Sequence, residues 1–198
     1  MTKITHILNR RTAAAATLAL AGLAMAGCTV NNHEARSTPT EQRAEINSAA
    51  DGALSRLYTA APESKQLVRD AKGVLIFPQV LGASFIVGGE YGNGVLRVGG
   101  RNDSYYSVAS GSLGFQAGAQ SQATILLFMT DEALQKFRNS KGWTIGADAN
   151  VVVAKIGANG RIDSNTARQP VVGFVLNNAG LAGGVSIQGS KITPEPNL

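Results

Sequence analysis

The chain has 198 residues, with 18 Lys or Arg against 13 Asp or Glu, a formal charge of +5. One cysteine rules out an intramolecular disulfide, and two histidines leave no basis for a His-rich metal site. The basic residues are scattered and form no stripe or cluster, so no nucleic-acid partner is expected.

Lys3, Arg10 and Arg11 lead into Thr12–Met25, an unbroken run of small and apolar residues. A helix needs about 20 apolar residues to cross a bilayer. This run is shorter and suits the apolar region of a signal peptide. It ends in Ala26-Gly27-Cys28, which resembles the bacterial lipobox, with Met25 where Leu is usual. Residues 1–27 are therefore read as a lipoprotein signal, and Cys28 as the residue that carries a covalent, palmitate-type lipid. The alternative is a plain signal peptide cut nearby, with Cys28 incidental. Three of the 18 basic residues fall in the signal, so the remainder holds 15 against 13 acids, or +2. Residues 28–37 read as a polar tether. The expected location is the bacterial cell envelope. Thr29 rather than Asp after the cysteine points to the outer membrane of a Gram-negative cell.

Residues 38–198 are long enough for one domain with one core. Thr38-Pro39-Thr40-Glu41 reads as a capping box with Pro at the first helical position. Ile46, Ala49, Ala50, Ala53, Leu54, Leu57 and Tyr58 then recur at helical spacing. Pro62 is expected to open a second helix through Leu67 and Val68, ended by Gly73, with Arg69 and Lys72 in its last turn. Val74 to Phe77 reads as a short strand closed by Pro78. Further strands are expected over 84–92, 94–100, 104–120, 123–129, 144–154, 171–178 and 181–192. Gly92-Asn93-Gly94 is expected to be a hairpin turn. Most of the 23 glycines fall in or beside these segments, which suggests bulges and strong curvature. One helix interrupts the strands, capped by Thr130, with Asp131 and Glu132 in its first turn and Leu134 and Phe137 facing inward. The expected fold class is α+β: N-terminal helices, then a Gly-rich, strongly curved, mainly antiparallel β-sheet, barrel-like, with one inserted helix.

No enzyme signature emerges, and no cofactor or metal is expected. His33, in the tether, is the only histidine after the signal. Ser110-Gly111-Ser112-Leu113-Gly114 comes nearest to a nucleophile elbow, but its first residue is wrong. Asp148 and Asp163 are carboxylates with no sequence link between them.

Several separated stretches, in order, resemble the SYLF domain family. They are Ala71–Pro78, Phe85–Val95, Ser112–Gln120, Asp131–Phe137 and Asn177–Ser190. The resemblance covers about residues 40 to 192. It implies membrane lipid binding: eukaryotic members bind phosphoinositides with the help of an amphipathic, basic N-terminal segment, and some bind actin filaments. Two departures stand out. Tyr105-Tyr106 occupies the place of a Trp-Ser pair, and Gly82 stands where many members have a lysine.

The candidate lipid-binding residues are Arg43, Arg56, Lys65, Arg69 and Lys72 in the leading helices, with Tyr105 and Tyr106. Cations on a helix at a membrane surface gain about 1 kcal/mol each from anionic lipid. Tyr91, Tyr105 and Tyr106 are also candidates for an amphipathic rim. The competing reading is that the helical stripe packs on the sheet and the basic residues are a solvated face. The implied partners are membrane phospholipid, the covalent lipid on Cys28 and an envelope protein. Three functions follow: a lipid-anchored lipid-binding module, a structural or protein-docking envelope domain, and, last, an enzyme.

Overall fold

Thr38 opens the first helix, α1 (Pro39–Ala60), with the reciprocal bonds of a capping box. Its backbone N–H donates to Glu41 Oε2 at 2.7 Å, and its hydroxyl accepts from the Glu41 N–H at 3.3 Å. The computed structural model describes residues 37–84, 87–113, 118–154, 162–182 and 185–198. The expected signal, Cys28 and the expected tether up to Arg36 lie outside the described residues.

One seam of α1 is buried: Ile46, Ala50, Ala53 and Leu57, at steps of four and three. Ala49, expected on that stripe, is exposed, because it lies about 100° around the helix from Ala50. The second helix, α2 (Ser64–Asp70), is shorter than expected at both ends. Lys72 lies beyond it. Gly73 does not cap it but opens the first strand, where a Cβ would meet Leu134 Cδ1 at 2.6 Å. The glycine makes room for a core leucine.

Four long strands follow: β1 (Gly73–Ser84), β2 (Val87–Val98), β3 (Arg101–Leu113) and β4 (Gly118–Phe128). They lie in the order β3-β2-β1-β4, all antiparallel, which is a Greek-key arrangement. Pro78 does not close β1. The strand carries one extra residue near Pro78 and Gln79 relative to both neighbours, so the register shifts there. A bulge is where proline's missing N–H is tolerated inside a sheet. Gly92-Asn93-Gly94 is not a turn either. It runs inside β2 against that bulge, and a Cβ on Gly94 would lie 2.5 Å from Ile76 O and from the Phe77 ring. The true β2–β3 turn is Gly99-Gly100, with φ of +58° and +78°, the pair of positive values that a tight hairpin requires.

The rest of the sheet is built from shorter pieces: β5 (Trp143–Thr144), β6 (Val152–Val153), β7 (Val171–Asn177), β8 (Gly180–Leu181) and β9 (Lys191–Pro194). Between them stand α3 (Asp131–Arg138), capped by Thr130 as expected, and the single turn α4 (Ser164–Ala167). The sheet runs β5-β9-β3-β2-β1-β4-β7-β6, with β8 on β7, and only the β6–β7 pair is parallel. It is mainly antiparallel and strongly curled into a half-barrel. The expected strand over 144–154 reduces to two short pieces. There the Asp148 carboxylate accepts the Thr144 N–H at 2.7 Å and turns the chain back. The expected strand over 181–192 also keeps only its ends, with turns near Gly189 between them.

The central strands are buried on both faces. Leu75, Phe77, Leu126, Phe128 and Val175 point to one core, shared with Leu134, Phe137 and Trp143. Val74, Ile76, Ile125, Leu127 and Phe174 point to the other, beneath the α1 seam. The alternation follows from the two-residue period of a strand. The first core holds an aromatic cluster. The Phe137 ring lies 4.8 Å from both Tyr106 and Phe128, and 5.4 Å edge-on from Trp143.

Candidate functional site

The apolar seam of α1 is spent on the sheet, so what α1 offers a partner is its polar side. Arg43 and Arg56 are exposed on it. Arg43 lies over the Tyr105 ring, 5.6 Å from its centroid, and the Tyr105 hydroxyl accepts from Asn47 Nδ2 at 2.9 Å. Tyr105 and Tyr106 are neighbours in β3 and so face opposite ways. Tyr106 is 5% exposed, inside the aromatic cluster, and shares no surface with Tyr105. Lys72 sits 3.9 Å from Asp131 with both side chains well exposed, a pair that holds little. From Pro39 to Lys72 the chain carries five basic and five acidic side chains. The leading helices therefore have no net pull on an anionic surface, and any attraction must come from local arrangement.

Such an arrangement exists at one end of α1. A cavity of about 400 Å³ lies between the C-terminal half of α1, α2 and the Gly99-Gly100 turn. Leu54, Val68 and Val74 give it an apolar floor, and Tyr58, Arg69 and Arg97 give it a polar wall. Both charged residues in its lining are arginines. Lys65 stands beside it, its Nζ 5.8 Å from the Tyr58 ring centroid. Burial raises the pKa of the Tyr58 hydroxyl, and the Arg97 charge works against that shift. The lining thus combines apolar side chains with two arginines, of which Arg97 is paired with Asp51.

Arg97 is held firmly. Its Nη1 donates to Asp51 Oδ1 at 2.6 Å, its Nε to Asn102 Oδ1 at 3.0 Å and its Nη2 to Asn47 O at 3.2 Å. Of the five basic residues singled out from the sequence, Arg69 lines the cavity and Lys65 adjoins it; Arg43, Arg56 and Lys72 are not in its lining. Sequence reasoning missed Arg97 and Tyr58. A signal for Arg97 was present: a lone cation inside the apolar run Val95-Leu96-Arg97-Val98, directly before a double glycine.

Gly82 has a visible consequence. It pairs with Glu90 across β1 and β2, and a Cβ there would meet Glu90 Cγ at 3.1 Å. The Glu90 carboxylate accepts from Ser110 Oγ and Gln122 Nε2, each at 3.2 Å. A long side chain at 82 would displace it. Among the described residues no group of three or more His, Cys, Asp or Glu side chains is placed to hold a metal ion, and no helix is long and apolar enough to cross a membrane.

The fold is a helix-covered, Greek-key half-barrel carrying a cation-walled cavity. Residues 109–198 match the family model Ysc84, described as Las17-binding protein actin regulator, in agreement with the resemblance to the SYLF family. The stretches at 71–78 and 85–95, which also resemble the family, precede the matched residues. A comparison with curated proteins found no match.

Proposed function

We propose that this protein is a non-enzymatic, lipid-anchored module of the bacterial cell envelope that binds anionic phospholipid through the cavity walled by Arg69 and Arg97. The observation that carries the reading is the juxtaposition of two arginines and Tyr58 above an apolar floor, with Lys65 alongside. The exposed Arg69 guanidinium offers a planar fork of donors that matches a phosphate, and Arg97, already bonded to Asp51, Asn102 and Asn47, adds its remaining N–H groups. The Cys28 lipid holds the chain at the outer membrane, and the cavity selects an anionic headgroup, a glycerophospholipid phosphate or a phosphoinositide-type head. The resemblance to the SYLF family is coarsely consistent with a lipid ligand. The actin role in the family description is not carried over, because an exported, anchored chain meets no actin filament.

The test uses the chain from Arg36 to Leu198, without Cys28, sedimented with vesicles of neutral lipid, anionic bacterial lipid or phosphoinositide at low and high salt. Binding to anionic vesicles that weakens with salt supports the reading. No binding to any vesicle replaces it with a protein-docking envelope domain whose sole membrane contact is the Cys28 lipid.

A further inference from the structure

Among the described residues, two large hydrophobic side chains stand out in solvent: Leu81, 56% exposed, and Tyr91, 53% exposed. A single exposed hydrophobic residue is ordinary. These two are direct partners in the β1–β2 register, just past the Pro78 bulge. The bulge and the antiparallel pairing bring residues ten apart in sequence into one patch. Beside it lies a groove of about 260 Å³, closed on the other side by Gln42, Glu45 and Ile46 of α1.

The surroundings indicate what covers the patch. Among the described residues, Glu45 is the only charged one in the groove's lining, which includes no Lys or Arg. No cation among these residues draws a phosphate headgroup. Leucine gives an apolar anchor, and tyrosine joins an apolar ring to a polar tip, the combination found where a bilayer meets water. The position fits as well. Gln42 and Ile46 lie in the first turns of α1, roughly 10 Å along the helix from Thr38. The roughly ten residues from Cys28 to Thr38 span at most about 35 Å. Along the chain, this end of the domain is the one next to the anchor.

We infer that the Leu81–Tyr91 pair is a second, uncharged membrane contact that enters the bilayer interface and sets how the anchored domain faces it. The inference rests on the Cys28 anchor but not on the arginine cavity. The cavity adjoins the C-terminal half of α1 and the patch its N-terminal turns.

The experiment uses the full chain, expressed in a bacterium so that Cys28 is lipidated, and reconstituted in neutral phosphatidylcholine vesicles. Leu81→Cys, and separately Lys141→Cys near the opposite core, are labelled with an environment-sensitive fluorophore. Quenching by a nitroxide-bearing lipid is then measured. The expected result is quenching at position 81 at least twofold stronger than at 141, reduced by half or more when Tyr91→Ser is added. Equal quenching at both positions overturns the inference. So does no loss with Tyr91→Ser, or burial of the label at 81 in a second copy of the chain before vesicles are added. A chain that fails to float with the vesicles refutes the anchor and this inference together. Loss of anionic binding in the soluble chain refutes only the headgroup cavity.

Discussion

Arg97 Nη1 and Asp51 Oδ1 lie 2.6 Å apart, with the arginine side chain 14% exposed and the aspartate 70% exposed. The carboxylate is hydrated and holds the guanidinium at the cavity wall while offsetting part of its charge. Asp51→Asn keeps an oxygen acceptor there and removes the negative charge. Affinity for anionic vesicles at low salt is expected to rise by about twofold to fivefold, from one local charge near a surface worth about 1 kcal/mol. An exposed carboxylate in an ion pair contributes under about 1 kcal/mol, so Tm should move by no more than about 3 °C. Co-sedimentation and thermal unfolding check the two halves.

The glycines divide by what surrounds them. Gly94→Ala drives a methyl into Ile76 O and the Phe77 ring at the β1 bulge. It should destabilise the domain by about 1–3 kcal/mol, the usual range for overpacking. Gly52, in the middle of α1, has nothing within 4 Å of an added Cβ. Gly52→Ala should stabilise by about 0.5–1 kcal/mol, because glycine is the poorer helix former. Urea unfolding of the two variants should shift the midpoint in opposite directions.

Phe137 joins α3 to the sheet through Tyr106, Phe128 and Trp143 and is 1% exposed. Phe137→Ala should cost about 3–5 kcal/mol. The emission of Trp143, the protein's only tryptophan, should move to longer wavelength as water reaches the cavity. Urea midpoints and the emission maximum are read on the same samples.

Two groups contribute at opposite ends of the pH range. Burial raises the Tyr58 pKa, so the folded state holds that proton more tightly than the unfolded chain does. Stability from this group is intact below the unfolded value near 10 and falls as pH rises beyond it. Tyr58→Phe should flatten that alkaline decline. Glu41 behaves in reverse. The Thr38 N–H, and then the Thr38 hydroxyl, hold its pKa down. Its contribution is present above the unfolded value near 4.3 and is lost as pH falls through the folded one. Glu41→Gln should remove that acid slope. Helical signal followed against pH tests both.

Local chemistry was readable where it acts over a few residues. The Thr38–Glu41 box, the Thr130 cap and the inward Leu134 and Phe137 are all as the residues imply, the α+β class follows from the change of period after Gly73, and the curvature of the sheet from its many glycines. Where tertiary contacts decide, the residues mislead. Pro78 and Gly92-Asn93-Gly94 look like chain punctuation, yet a bulge and a close strand approach absorb them. Gly73 looks like a helix stop and is a seat for Leu134. The site was half legible. Lys65 and Arg69 belong to a helix recognisable from its pattern, whereas Arg97 and Tyr58 reach the cavity only when β2 lies under α1.

The central claim is that charge acts locally, at the cavity, rather than across the helices. The most direct measurement compares two double variants that remove equal charge: Arg69→Gln with Arg97→Gln at the cavity, and Arg43→Gln with Arg56→Gln on exposed α1. Affinity for anionic vesicles at low salt is the readout, with circular dichroism confirming that both remain folded. The expected result is a loss at least about tenfold greater in the cavity variant than in the α1 variant, whose two surface charges are worth at most about 1 kcal/mol each. Equal losses in the two variants, or no loss in the cavity variant, would contradict the account.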